Sequence, residues 1–404
     1  MDTITHGIAG ALIGKALFRG EDMFAARAMN RARVVTWSLM LGAIFPDVDT
    51  LRGLFSHNDL LVITWHRSIT HSLVMLPVWA LLLAALTHWF ARWWEWEAPS
   101  FAALAGIYAV GILSHIFLDL VTTFGTMIWS PLEWSRPAWD LIFIVDFSLA
   151  GILLVPQFVA WAHADPAKAR VRAGGMFLAF LPTPLLVARI AQIVGAPISP
   201  TSIVVAIALL AVLFLFPAIR RTGLKIPYVA WNRAGLVAAC LYIFLAAHAH
   251  FAALERLKKF AAFEHIDAQS LGALPFPPSI WHWDGLIRTS RGVYEMRMDL
   301  SEKASISESP AAKSSELPPI EYHFYPDAFS NSYIEQARQL PAVQKVLWFS
   351  RFPVTRFHKE GDDAVVEISD LRFAQIRPGR TASFTYRVRF GRDGNVVSQG
   401  WVTR

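Results

Sequence analysis

The chain has 404 residues, of which 54% are hydrophobic and 17% are charged, and its mean hydropathy is +0.39. This composition excludes an ordinary soluble protein and a disordered chain, and it predicts a membrane protein. The net charge of +6 is spread over short loops, which argues against a nucleic-acid partner, and the single cysteine, Cys240, excludes a disulfide framework.

Long apolar segments before residue 254 predict about eight helices in a polytopic membrane domain. Six segments have close to the roughly 20 residues that a helix needs to cross a bilayer: 69–91, 101–122, 141–161, 171–196, 201–219 and 233–254. Two shorter segments, 4–18 and 34–45, come first. The first is rich in glycine and alanine, so we expect these two to pack closely as a helical hairpin. The predicted fold is mostly α, with residues 1–253 in the membrane domain.

The remaining sequence predicts a small β-rich domain. Residues 254–290 form a connector rich in proline and tryptophan, in which we expect little regular structure. Residues 291–404 carry strand-like segments at 292–300, 320–325, 346–351, 364–368 and 381–390. A short helix is expected at 331–340 and a flexible loop at 301–319, where Ser, Glu, Lys and Pro dominate.

Loop charges predict an orientation in the membrane. Lysine and arginine residues concentrate in the 162–172 and 219–233 loops, which should therefore face the cytoplasm. Counting helices from these loops places residues 47–68, residues 123–140 and everything after about residue 254 on the outer side. The β-rich domain is accordingly predicted to be extracytoplasmic.

Histidine and aspartate side chains recur at the predicted outer ends of four helices. Ionisable groups are costly inside a bilayer, so a functional site is the first hypothesis for them. The candidates are His6, Asp47, Asp49, His66, His71, His115 and Asp119. Imidazoles and carboxylates without sulfur suit one or two divalent ions, with zinc favoured and manganese also suitable.

Local spacing predicts how some of these residues converge. His115 and Asp119 are four residues apart and should lie on one helix face. Pro46 favours an extended Asp47–Asp49 segment, with both carboxylates on one side. Besides a ligand role, Asp49 is a candidate general base and His71 a candidate general acid.

Two further residues complete the predicted site. Arg67 is a candidate catalytic residue, because a planar guanidinium suits the charge that develops on a phosphate. Asp140 is expected to orient a ligand histidine through a hydrogen bond.

Four spaced motifs carry a resemblance to a known family. They are MDTITHG at 1–7, FPDVD at 45–49, HRSITHS at 66–72 and SHIFLD at 114–119, and GT at 125–126 and PL at 131–132 follow them. Over roughly residues 1–150 the chain resembles the YdjM-like membrane-bound metal-dependent hydrolases of bacterial inner membranes. The resemblance implies hydrolysis that depends on a metal ion and leaves the substrate open.

A more distant similarity is to zinc-dependent phospholipase C and the P1-type nucleases. Their ligand order is matched by His6, Asp47, His66, His115 and Asp119. Those enzymes also use an N-terminal amino group and a second His-x-x-x-Asp pair, which are not evident in this sequence, so we expect one or two ions.

The predicted function is hydrolysis of a phosphoester, such as a lipid headgroup, at the outer face of the membrane. Two alternatives stay open at this stage. One is a non-enzymatic scaffold or assembly protein with a structural metal. The other is an ion-coupled transporter, in which intramembrane His and Asp form a relay. The bilayer is the expected partner, and the sequence leaves the oligomeric state open.

Overall fold

The computed structural model describes residues 1–18, 30–56, 58–193, 198–219, 227–276, 281–300, 322–373 and 384–402. The chain forms two compact units. The first contains residues 1–49 and 67–245, and the second contains residues 50–66 and 246–404. The predicted loop at 301–319 and residues 220–226 of the basic 219–233 loop lie outside the described residues.

Helices dominate the sequence before residue 264. They are α1 (Thr3–Leu17), α2 (Arg31–Ile44), α3 (Leu61–Thr64), α4 (Leu76–Trp93), α5 (Phe101–Leu120), α6 (Phe147–His163), α7 (Ala169–Phe180), α8 (Thr183–Ile193), α9 (Pro200–Ile219) and α10 (Tyr228–Phe263). Short 3-10 helices occupy Phe45–Leu54 and Ile69–His71.

Several of these helices can cross a membrane. Among the described residues, four segments are long and apolar enough to do so: Arg31–Gly53, Phe101–Leu120, Ala169–Ile193 and Tyr228–Phe263. The pair Leu61–His71 and Leu76–Trp93 adds a fifth when it is counted as one broken span. The structure therefore shows a mostly helical membrane protein with four or five candidate spans, and the predicted count of eight is not confirmed.

Local hydrogen bonds and prolines explain why the predicted boundaries were wrong. The segment predicted at 69–91 starts its α-helix only at Leu76, because Ser72 Oγ accepts hydrogen bonds from the Val74 and Met75 amides at 3.0 and 3.3 Å. The segment predicted at 171–196 is split into α7 and α8 around Pro182, which has no N–H to continue the helix.

The segment predicted at 141–161 also starts later, at Phe147. Asp146 caps α6 there, since its Oδ1 accepts the Leu149 amide at 2.8 Å. The other carboxylate oxygen of Asp146 accepts a hydrogen bond from the Tyr242 hydroxyl at 2.8 Å.

Close helix packing brings both α1 and α5 against α2. A Cβ atom added at Gly10 in α1 would lie 2.6 Å from the Leu39 carbonyl oxygen of α2. At Gly111 in α5 it would lie 2.8 Å from the same oxygen. The predicted tight hairpin of the first two apolar segments is thus confirmed, and small residues are what allow it.

Gly111→Val is expected to destabilise the first unit by about 1–3 kcal/mol, because the new side chain must push the α2 backbone away. Gly106→Val is the matched control, since it lies in the same helix and an added Cβ there meets nothing within 4 Å. Thermal unfolding in detergent measures both. Equal losses of stability for the two variants would show that helix packing at Gly111 is not the cause.

The C-terminal part of the second unit contains two four-stranded antiparallel sheets, each with its strands in sequence order. The first consists of β1 (Ser270–Pro275), β2 (His282–Thr289), β3 (Gly292–Asp299) and β4 (Tyr322–Pro326). The second consists of β5 (Pro353–Glu360), β6 (Asp363–Asp370), β7 (Thr385–Phe390) and β8 (Val396–Trp401). Helices α11 (Ser332–Gln339) and α12 (Pro341–Phe349) lie between them in sequence.

Both faces of the first sheet are covered. On one face Trp283 and Met296 pack with Leu257 of α10. On the other, Leu286 packs with Phe352. Because both faces are buried, β2 lacks the alternation of polar and apolar residues that identifies a half-exposed strand.

Part of the secondary structure predicted for this region was wrong. The strand predicted at 346–351 lies largely in α12, which Pro341 begins in its first turn. Irregular structure was expected where Pro275 occurs, yet this residue ends β1, an edge strand that tolerates proline. The helix predicted at 331–340 is confirmed as α11.

Candidate metal centre

Four buried side chains of the first unit converge into one group. Each offers one ligand atom, and these four atoms all lie within 4.8 Å of one another. The group, called here the four-ligand cluster, consists of Asp47, His71, His115 and Asp119.

Helix α5 supplies two members of the cluster. His115 Nε2 lies 3.4 Å from Asp119 Oδ2, as expected for residues one helical turn apart. Both side chains are fully buried. The helix places them on the face that packs against the neighbouring helices.

Asp47 comes from the 3-10 helix that directly follows α2. The extended Asp47–Asp49 segment predicted from Pro46 is therefore wrong, because proline is also compatible with the first turn of a helix. Both carboxylates nevertheless reach the same imidazole. Asp47 Oδ1 lies 3.6 Å from His71 Nε2, and Asp49 Oδ2 lies 3.4 Å from His71 Nδ1.

The proton positions on His115 follow from its neighbours. Its Nδ1 lies 2.6 Å from the Ala43 carbonyl oxygen, which can only accept, so Nδ1 carries the proton. The Nε2 atom of the neutral ring is then a lone-pair donor. It lies 3.0 Å from His71 Nε2 and 3.5 Å from Asp47 Oδ1.

The cluster fits a bound cation. Asp119 Oδ2 lies 3.3 Å from His71 Nε2, and among the described residues it has no hydrogen-bond partner although it is buried. Unsatisfied buried carboxylate oxygens are costly, and two imidazoles with two carboxylates are a common ligand set for divalent transition metals. The residues present therefore fit a divalent metal ion.

Arg67 forms an ion pair with Oδ1, the other carboxylate oxygen of Asp119. Its Nη2 lies 2.8 Å from Asp119 Oδ1, and its Nη1 donates to Thr122 Oγ1 at 3.0 Å. The side chain is only 1% exposed, and the Met1 amino nitrogen contacts the same carboxylate oxygen. The structure places the Arg67 guanidinium on Asp119, and the catalytic role of Arg67 toward a phosphate stays a prediction.

His6 borders the cluster without belonging to it. Its ring stacks on His115 with centroids 3.6 Å apart, and its Nε2 lies 3.2 Å from Asp119 Oδ1. The other ring nitrogen, Nδ1, is buried and has no hydrogen-bond partner among the described residues.

Asp49, His66 and Asp140 lie outside the four-ligand cluster. Asp49 Oδ2 accepts a hydrogen bond from the Arg67 amide at 3.0 Å. His66 is half-buried. Asp140 is buried in a segment that meets the end of α5, where the Leu141 amide donates to the Val121 carbonyl at 2.8 Å.

Sequence reasoning missed two threonines and one backbone group. Thr3 donates to Asp47 Oδ2 at 2.5 Å, and Thr70 lies between Asp49 and His71. Thr70 could have been noticed because it directly precedes a ligand histidine. The role of the Ala43 carbonyl cannot be predicted from the sequence, because every residue has a backbone carbonyl.

Comparisons with known proteins found similarity to part of the chain. Over 146 residues the chain is 27% identical to the uncharacterized protein YfhP of Bacillus subtilis (strain 168), a match that covers 36% of this chain and 42% of that protein. The chain thus spans less than half the length of this relative. No solved structure matches the chain significantly. The more distant similarity to phospholipase C and the P1-type nucleases is not supported. Residues 1–196 match the family model described as YdjM inner membrane protein, which supports a YdjM-like membrane protein over this region.

Proposed function

We propose that this protein is a membrane-bound, metal-dependent hydrolase of a phosphoester, such as a lipid headgroup. The observation that carries the proposal is the convergence of four buried ligand atoms within 4.8 Å, in a unit made largely of apolar helices. Asp47, His71, His115 and Asp119 would hold the ion, with zinc favoured. A divalent ion held there would supply Lewis acidity for the activation of water.

The residues around the cluster have separate tasks in this proposal. Asp119 offers Oδ2 to the ion, while Arg67 holds Oδ1 and stabilises the ionised carboxylate. Asp47 is the member of the cluster with measurable exposure, at 7%, so substrate would approach on its side. Thr3 positions Asp47 there through its hydrogen bond to Oδ2.

A scaffold with a structural metal is the second candidate, and one observation favours it. Structural zinc sites are usually closed by four protein ligands, whereas catalytic sites keep an open position. The cluster offers four ligands, and three of them are fully buried. Activity measurements separate the two functions.

The test uses purified full-length protein reconstituted in phospholipid vesicles. Release of headgroup phosphate and hydrolysis of bis-p-nitrophenyl phosphate are measured with zinc or manganese, after chelation, and in Asp47→Asn. We expect turnover that disappears on chelation and falls by at least about 100-fold in the variant. A protein that binds zinc tightly and hydrolyses neither substrate would support the scaffold instead.

We also propose that the β-sheet domain is extracytoplasmic in the inner membrane. The basic residues at 168–172 support this orientation, because positively charged loops stay in the cytoplasm. In a Cys240→Ser background, Asn58→Cys should react with an impermeant thiol reagent added to whole cells, and Lys168→Cys should react only after lysis. Both positions are exposed. The opposite labelling pattern would reverse the orientation.

A further inference from the structure

Thr70 occupies a position between two groups of the site. Its Oγ1 donates to Asp49 Oδ2 at 3.1 Å and lies 3.0 Å from His71 Nδ1. The same Asp49 oxygen accepts the Arg67 amide at 3.0 Å. Sequence reasoning gave Thr70 no role, so its contacts are additional information about the site.

These contacts determine where each proton lies. Asp49 Oδ2 acts as an acceptor toward the Arg67 amide, so it also accepts the proton of the Thr70 hydroxyl. Because the hydroxyl proton points to Asp49, Thr70 Oγ1 can only accept a hydrogen bond from His71 Nδ1. Asp49 Oδ2 itself lies 3.4 Å from Nδ1 and favours the same arrangement. His71 therefore carries a proton on Nδ1, which leaves Nε2 as the ring nitrogen that can bind a metal ion.

We propose that Thr70 is a positioning residue that, together with Asp49, fixes the His71 tautomer in which Nε2 can bind a metal ion. This inference rests on the proposed metal site and adds a residue to it. The Ala43 carbonyl performs the same task for His115. Partners that fix the tautomer and orientation of ligand histidines are a general requirement of metal sites.

The alternative tautomer would compete with the ion. The two Nε2 atoms of His71 and His115 are 3.0 Å apart. A proton on His71 Nε2 would use the lone pair of that nitrogen and form a hydrogen bond to His115 Nε2. Neither nitrogen would then offer a lone pair to a metal ion. Removal of the Thr70 hydroxyl should therefore weaken metal binding without removing any ligand.

The experiment compares Thr70→Val and Thr70→Ala, which lack the hydroxyl, with Thr70→Ser, which retains it. Zinc affinity of the full-length protein in detergent is measured by chelator competition, and the ligand field is followed by the visible spectrum of bound cobalt. We expect affinity to fall by about 10- to 100-fold in the first two variants and to stay within about 3-fold in Thr70→Ser. Thr87→Val is the matched control, because Thr87 makes a hydrogen bond with Tyr108 away from the cluster.

Each outcome decides the proposal. Wild-type affinity in Thr70→Val or Thr70→Ala would overturn it, as would a loss in Thr70→Ser equal to that in Thr70→Val. If Thr70→Val does not fold, Thr70→Ala removes the same hydroxyl without placing a methyl group against Asp49. Absence of zinc binding by the wild type would instead reject the proposed function, so the two failures are distinguishable.

Discussion

Protein carrying His115→Ala is expected to lose its bound divalent metal. The change removes one of the four ligand atoms and leaves the Ala43 carbonyl without its ring N–H donor. Loss of a supporting partner alone costs about 10- to 100-fold in metal affinity, so loss of a ligand should cost more than about 100-fold. Elemental analysis of purified protein, after equilibration with zinc or manganese and removal of free metal, measures the effect.

His88→Ala is the control for this measurement. His88 is a histidine of the same unit that lies on α4 outside the four-ligand cluster and packs edge-on against Phe101. Its variant should retain the wild-type metal content. Equal metal content in the wild type and His115→Ala would show that the cluster does not hold the ion.

Asp284 is expected to make the stability of the β-sheet domain depend strongly on pH. Its side chain is 1% exposed, and neither carboxylate oxygen has a hydrogen-bond partner among the described residues. Arg297 approaches only to 3.9 Å. Burial, together with the nearby Glu295 carboxylate, raises the pKa of Asp284 from 3.8 to about 7.

The direction of the pH effect follows from this raised pKa. The folded state holds a proton that the unfolded state releases near pH 3.8. The stability of the domain is therefore highest below that pH, falls as the pH rises toward 7, and stays lowest above it. A shift of about three pKa units corresponds to about 4 kcal/mol in the free energy of unfolding.

Asp284→Asn removes the titrating group and keeps a similar shape. At pH 8 the variant should be more stable than the wild type by up to about 4 kcal/mol, and the difference should shrink as the pH is lowered to 5. Denaturant unfolding of full-length protein at the two pH values measures this. Asp393→Asn, at an exposed carboxyl group of the same unit, should leave the pH profile unchanged. A pH profile of Asp284→Asn parallel to that of the wild type would contradict the prediction.

The candidate site was partly predictable because some of its geometry is local. The spacing of His115 and Asp119 is enough to place both on one face of α5. The structure brings these two together with Asp47 and His71, all of them residues singled out in the sequence. The two histidines of the 66–72 motif could not be distinguished, because the 3-10 turn at Ile69–His71 decides which of them enters the cluster.

The strands of the β-sheet domain were harder to predict, because their burial also depends on residues that are distant in the sequence. Alternation identifies a strand only when one face is exposed, and both faces of β2 are buried by elements distant in sequence. The apolar segment around Val346 fits a strand or a buried helix equally well. Pro341, at the first turn of α12, is the local signal that favours the helix.

By itself the sequence determined the membrane class, the central helices and the set of candidate ligands, because hydropathy and helical spacing act over a few neighbouring residues. Only the tertiary structure decided which partner each polar group contacts. Arg67 pairs with Asp119, and the Ala43 carbonyl orients His115, through contacts that join residues 52 and 72 positions apart in the chain. Proton positions and ligand geometry depend on such distant partners, so no local pattern can specify them.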